Sequence, residues 1–143
     1  MAEAESISIP AYVLDSYALL AYFQAEPGGP TVSTLIEAAD LKKAWLHLSL
    51  INAGEMYYIM HRKQGFSQAE EMLKDLHKLP VTLHLPTKER IWAAARLKAE
   101  YPISYADAFA AALAQELGAV LVTGDSEFKS VEPGVTVMWL SSQ

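Results

Sequence analysis

The sequence predicts an α/β domain: a parallel or mostly parallel sheet with helices on both faces. Three observations carry this. Short apolar runs such as Ala11–Leu14 and Ala119–Thr123 read as buried strands. Helical stretches separate such runs, and the order β-α-α-β-α-α-β-α-α-β-β is that of a layered α/β fold. The 143 residues, 52% hydrophobic and 20% charged, amount to one domain with enough apolar side chains for a core. A single domain over 1–143 is therefore expected, with 1–10 a flexible N-terminal extension.

Each element has a local reason. Ala11–Leu14 predicts the first strand, and Ser16–Gln24 a helix stopped by Pro27-Gly28-Gly29-Pro30. Thr31–Asp40 follows a proline suited to a helix start. Ala44–Leu48 predicts a second strand. Ser49 is placed to cap a helix running through Lys63 and ended by Gly65. Ser67 and Glu70 match a capping box opening a helix to Leu79. Val81–His84 predicts a strand before Pro86. Thr87–Tyr101 has Ile91, Ala94 and Ala95 at helical spacing. Ser104 opens a helix that Gly118 closes. Ala119–Thr123 and Val135–Leu140 predict the last two strands.

Composition excludes several classes. The chain has no cysteine, so disulfides, thiolate metal sites and cysteine nucleophiles are out, and a reducing cytoplasm is the expected location. The longest purely apolar run, Ala108–Ala114, is far short of the roughly 20 residues that a membrane span needs. The first residues lack the basic and apolar regions of a secretory signal. Four histidines, at 47, 61, 77 and 84, show no zinc spacing. Eleven Lys and Arg stand against 17 Asp and Glu, the wrong sign for direct attraction to phosphates. If four carboxylates hold metal, the remainder is 11 against 13, and the cation supplies the attraction.

Four acidic residues fall where an α/β sheet binds ligands, beyond the carboxyl ends of strands. Asp15 follows Tyr12-Val13-Leu14, and Asp125 follows Ala119–Thr123 and Gly124. Glu55 interrupts an otherwise apolar helix with Asn52 three residues earlier on the same face. Gly54 beside it could admit a strand or substrate. Asp107 lies in the first turn of a helix whose next turns are apolar all round. Each has an ordinary local role as well: Asp15 as a helix cap, Asp125 as a turn residue, Asp107 as half of a capping box, Glu55 as an exposed polar residue. Brought together, four unneutralised carboxylates repel, and an all-oxygen ligand set suits Mg²⁺ or Mn²⁺.

In the order Val13-Leu14-Asp15-Ser16, Asn52-x-x-Glu55, Tyr105-Ala106-Asp107-Ala108 and Thr123-Gly124-Asp125-Ser126-Glu127-Phe128, the chain resembles the PIN-domain ribonucleases, most of all the VapC-type toxins of toxin–antitoxin pairs. The resemblance runs from Tyr12 to the last strand. It implies a Rossmann-like sheet of order 3-2-1-4-5 and a Mg²⁺- or Mn²⁺-dependent endoribonuclease. By position it assigns Asp15, Glu55, Asp107 and Asp125 to catalysis and metal binding. The mechanism expected from these ligands has one metal, held mainly by Asp15 and Asp125, polarise a water. Ser16, Asn52 and Thr123 take supporting places, and Glu127 stands where many members have a further Asp. It also implies an RNA substrate, a protein antitoxin, a homodimer and no membrane.

Arg62, Lys63, Lys42, Lys43, Lys88 and Arg90 are candidate handholds for RNA, and Tyr57 and Tyr58 candidate stacking residues better suited to core packing. A phosphoaspartate enzyme fits poorly: Tyr17 stands where a second acid two residues after Asp15 is needed. The main alternative is a non-catalytic PIN-like module that binds RNA or protein. Retention of the full acidic set argues against it.

Overall fold

The computed structural model describes residues 8–141. Five strands form one sheet: β1 (Ala11–Leu14), β2 (Trp45–Ser49), β3 (Val81–His84), β4 (Val120–Thr123) and β5 (Val137–Trp139). Their order is β3-β2-β1-β4-β5, and every neighbouring pair is parallel. The helices are α1 (Ser16–Phe23), α2 (Gly29–Asp40), α3 (Leu50–Gln64), α4 (Phe66–Leu76), α5 (Lys88–Glu100) and α6 (Tyr105–Leu117). A 3₁₀ turn, Ser126–Val131, lies between β4 and β5, so the final two strands pair in parallel across a crossover rather than as a hairpin.

The strands alternate between two cores. Leu14, Leu46, Leu48 and Val122 pack with α1, α2, α3 and α4 on one face. Val13 and Leu121 pack with α5, α6 and Phe128 on the other. Burial on both faces is why these strands read as continuous apolar runs. The alanine-rich stretch of α6 is almost wholly buried, which lets that helix lie close to the sheet.

Caps behave largely as expected. Ser49, Thr87 and Ser104 each accept a backbone N–H in the first turn of the helix that follows. Gly118 ends α6 in the left-handed region (φ 60°), where glycine is unstrained. The expected Ser67 capping box does not form. Gly65, at φ 96°, already turns the chain between α3 and α4, and α4 begins at Phe66 without a side-chain cap. That helix ends at Leu76 rather than Leu79, and α2 starts two residues early because Pro30 fits its first turn.

Residues 1–7 of the expected extension lie outside the described residues; Pro10 is fixed by its carbonyl, which accepts Trp45 N–H at 2.9 Å. Among the described residues no helix is long and apolar enough to cross a membrane.

Candidate active site

Strand order reverses between β1 and β4. In an open parallel sheet this creates a crevice beyond the strands' carboxyl ends. Asp15 leaves the end of β1 and is buried, with 2% of its surface exposed. Its Oδ1 accepts Ala18 N–H at 2.8 Å, capping α1, and its Oδ2 accepts the Thr123 hydroxyl from β4. Thr123 Oγ1 in turn accepts Asp125 N–H at 2.9 Å. One chain of bonds thus fixes the ends of both central strands and the two aspartates at them. Asp125 also keeps its turn role, accepting Glu127 N–H at 2.9 Å to start the 3₁₀ segment.

The remaining acids arrive from helices. Ser16 donates its hydroxyl to Glu55, tying α1 to α3. Asn52, fully buried, donates from Nδ2 to the Ala106 carbonyl at 3.1 Å and weakly to Ser16 Oγ at 3.5 Å. It therefore joins α3, α1 and the start of α6, where Asp107 sits. Asp107 is buried, and its N–H is capped by Ser104 Oγ at 3.1 Å. Carboxylate oxygens of Asp107, Asp125 and Glu127 lie within 4.8 Å of one another. The structure thus brings Glu127, exposed on the 3₁₀ segment, up to the same cluster.

The electrostatics show how costly this arrangement is. Burial pushes the Asp15 carboxyl from 3.8 up to about 7; the charges of Asp125 and Glu55 add, while the bonds from Thr123 and Ala18 oppose. Burial likewise raises Asp107 to about 8, helped by Asp125, Asp15 and Glu55 and opposed by Ser104. Among the described residues the ion pairs are Lys78–Asp75 and Arg90–Glu116, so no Lys or Arg neutralises the cluster. The donor set is all hard oxygen, which fits Mg²⁺ or Mn²⁺. Asp107, Asp125 and Glu127 are placed to share one cation, and the charges of Asp15 and Glu55 are near enough to raise Asp107.

Two further residues shape the crevice. A Cβ built on Gly124 would meet the Tyr17 ring at 2.2 Å, so only glycine lets the ring lie against the peptide before Asp125. Sequence reading noticed Tyr17 only as a missing acid; nothing local signals a contact 107 residues away. Gly54, by contrast, faces open space, with nothing within 4 Å of a Cβ placed there. The idea that it admits a strand is not sustained.

The candidate handholds separate. Lys42 and Lys43 precede β2 and so lie at the opposite end of a parallel sheet from the acids. Arg90 is committed to Glu116, through Nε and Nη2 at 3.0 Å each, and to the Leu85 carbonyl. Arg62 lies over the exposed Tyr58 ring, 5.0 Å from its centre, while Tyr57 donates its hydroxyl to Glu70. Lys63 and Lys88 remain exposed.

A family model described as PIN domain matches residues 12–132. The chain belongs to the PIN domain family. Solved structures agree in fold with this PIN domain. The VapBC2 complex of Rickettsia felis, bound to a DNA fragment from its promoter, matches with a TM-score of 0.73 and 19% identity, over 92% of this chain and 99% of that one. VapC20 of Mycobacterium tuberculosis, described as a sarcin–ricin loop cleaving toxin, matches at 0.71 and 18%, over 85% and 95%. VapBC-1 of nontypeable Haemophilus influenzae matches at 0.66 and 21%, over 90% and 97%. No curated protein matches the chain. The Rossmann-like sheet of order 3-2-1-4-5 is as the resemblance implied.

Proposed function

We propose that this PIN domain is a Mg²⁺- or Mn²⁺-dependent endoribonuclease and the toxin of a toxin–antitoxin pair, acting in the cytoplasm. One observation carries the reading: buried and half-buried carboxylates converge at the switch-point crevice, with no Lys or Arg paired to them among the described residues. The family match supports it, as do structures of similar fold described as VapBC2 and as a sarcin–ricin loop cleaving toxin.

In this reading Asp107, Asp125 and Glu127 hold the cation, and Asp15 fixes the floor of the site through Thr123 and Ala18. A bound divalent cation supplies positive charge for the scissile phosphate and lowers the pKa of water. Glu55, oriented by Ser16, positions the attacking water and takes its proton. Water oxygen bonds to phosphorus as the bond to the leaving oxygen breaks in line, and that oxygen takes up a proton from solvent. Asn52 keeps Glu55 and Asp107 at a constant separation by holding α3 to the start of α6.

A protein antitoxin and a second copy of the chain are the proposed partners. Large apolar side chains left exposed, such as Tyr58, Leu85 and Trp92, support interfaces of this kind. The test is hydrolysis of single-stranded RNA with and without Mn²⁺, by the parent protein and by Asp107→Asn. Cleavage that needs Mn²⁺ and falls at least 100-fold in the variant is expected. RNA binding without cleavage would favour the non-catalytic module instead.

A further inference from the structure

The crevice does not end at the acids. On its α1 side a groove of about 440 Å³ runs between α1 and α3, lined by Tyr17, Leu20, Gln24, Glu26, Ile59 and Lys63 among others. Its α1 wall begins at Tyr17, next in the chain to Ser16, which donates to Glu55. Ile59 and Lys63 follow Glu55 at helical spacings of four residues, so Lys63 stands roughly 12 Å beyond the acid along the helix axis. Leu20 and Gln24 follow the start of α1 in the same way. Gln24 Nε2 points to Met60 Sδ at 3.9 Å, bringing the two walls together at the far end.

We propose that this groove is a subsite for one nucleotide of a single-stranded RNA, next to the phosphate at the acidic cluster. This rests on the nuclease reading and names how that site would hold its substrate. Its chemistry is that of a nucleotide: an aromatic platform, an amide and a cation in series, beginning at the reacting centre. Tyr17 lies against Gly124 beside Asp125 and also lines the groove, so a base stacked on it is held in fixed register to the site. Leu20 and Ile59 cover the remaining apolar surface. The Gln24 amide offers both a donor and an acceptor to a base edge. Lys63 meets the following phosphate, a compact charge on a chain whose net charge is −6. Glu26 lies on the same rim and repels phosphate there, which directs the backbone to the Lys63 side.

The test uses the full chain and a pool of 12-nucleotide single-stranded RNAs of random sequence. Cleavage with Mn²⁺ is followed by sequencing of the ends, and binding is measured by anisotropy with Ca²⁺. The variants are Lys63→Gln, Gln24→Ala and Tyr17→Leu, with Lys43→Gln at the far end of the sheet as a control. Lys63→Gln should raise KM about fivefold, weaken binding to match, and flatten the logarithmic salt slope by about 0.7. Gln24→Ala should change the base preference at one flanking position. Tyr17→Leu should weaken binding about tenfold, within the range that loss of base stacking produces. Because Tyr17 also packs on Gly124, the Lys63 and Gln24 variants decide the matter. If both cleave and bind as the parent does, with the same base preference, the subsite is refuted while the nuclease reading stands. That result holds equally if Lys63→Gln and Gln24→Ala instead impair capture of a protein partner. If the parent binds RNA but does not cleave it, and Lys63→Gln weakens that binding, the subsite stands and the nuclease reading falls. If the parent neither binds nor cleaves, both fall.

Discussion

Replacing Asp15 by Asn should make the metal-free protein more stable at pH 8 and slightly less stable at pH 4. Asp15 titrates at 3.8 when unfolded and near 7 in the fold. A native carboxyl raised in this way contributes stability that is complete below the unfolded pKa and is lost as the pH rises through the native one. The full loss is about 4 kcal/mol for Asp15. Asn keeps an oxygen to cap Ala18 N–H, but it cannot accept the Thr123 hydroxyl while its amide faces that group. The unmatched bond costs about 1 kcal/mol at any pH. The variant is thus expected to be about 1 kcal/mol less stable than the parent below pH 4 and about 3 kcal/mol more stable at pH 8. At about 4 °C per kcal/mol, the melting temperature at pH 8 should rise by roughly 12 °C. Urea unfolding in the presence of a chelator, at several pH values, reads the difference directly. Parallel pH profiles for variant and parent, or a variant less stable at pH 8, would refute the reasoning.

Other perturbations follow from the same contacts. Gly124→Ala should force the Tyr17 ring aside and destabilise by about 1–3 kcal/mol, with a matching loss of cleavage, as urea unfolding and an RNA assay would show. Phe128→Ala removes a ring with no exposed surface from the α6 side of the core and should cost about 3–5 kcal/mol in the same measurement. Arg90→Gln breaks a half-buried pair with Glu116 and should destabilise by about 1 kcal/mol, an effect that shrinks in high salt. Adding Mn²⁺ at 100 times its Kd should stabilise the parent by about 2.7 kcal/mol and Asp107→Asn by no more than about 1.4 kcal/mol in thermal melts.

The sheet was readable because its strands are buried on both faces and several of its helices carry ordinary caps. Val13 and Leu14 point to different cores, so neither can be polar, and the run stands out. The boundary errors have the same kind of cause. Ser67 and Glu70 have the right spacing for a capping box, but a positive φ at Gly65 starts the helix first. The four candidate acids stand out in the sequence by position, Asp15 and Asp125 through the strand ends and Glu55 and Asp107 through their apolar surroundings. Two of the local roles proposed for the aspartates coexist with their place in the crevice: Asp15 caps α1 and Asp125 caps the 3₁₀ turn. What could not be read was long-range proximity. Glu127 reaches Asp107 only because the 3₁₀ segment curls back over α6, and Tyr17 reaches Gly124 only because β1 and β4 are neighbours.

Mn²⁺ titration of the purified, partner-free chain, beside Asp15→Asn and Asp107→Asn, tests most directly whether these acids form one cation site. The two residues are 92 positions apart and on different elements. The account predicts saturable binding to the parent that weakens at least tenfold in both variants. Binding of equal strength in all three proteins, or none at millimolar Mn²⁺, would contradict it.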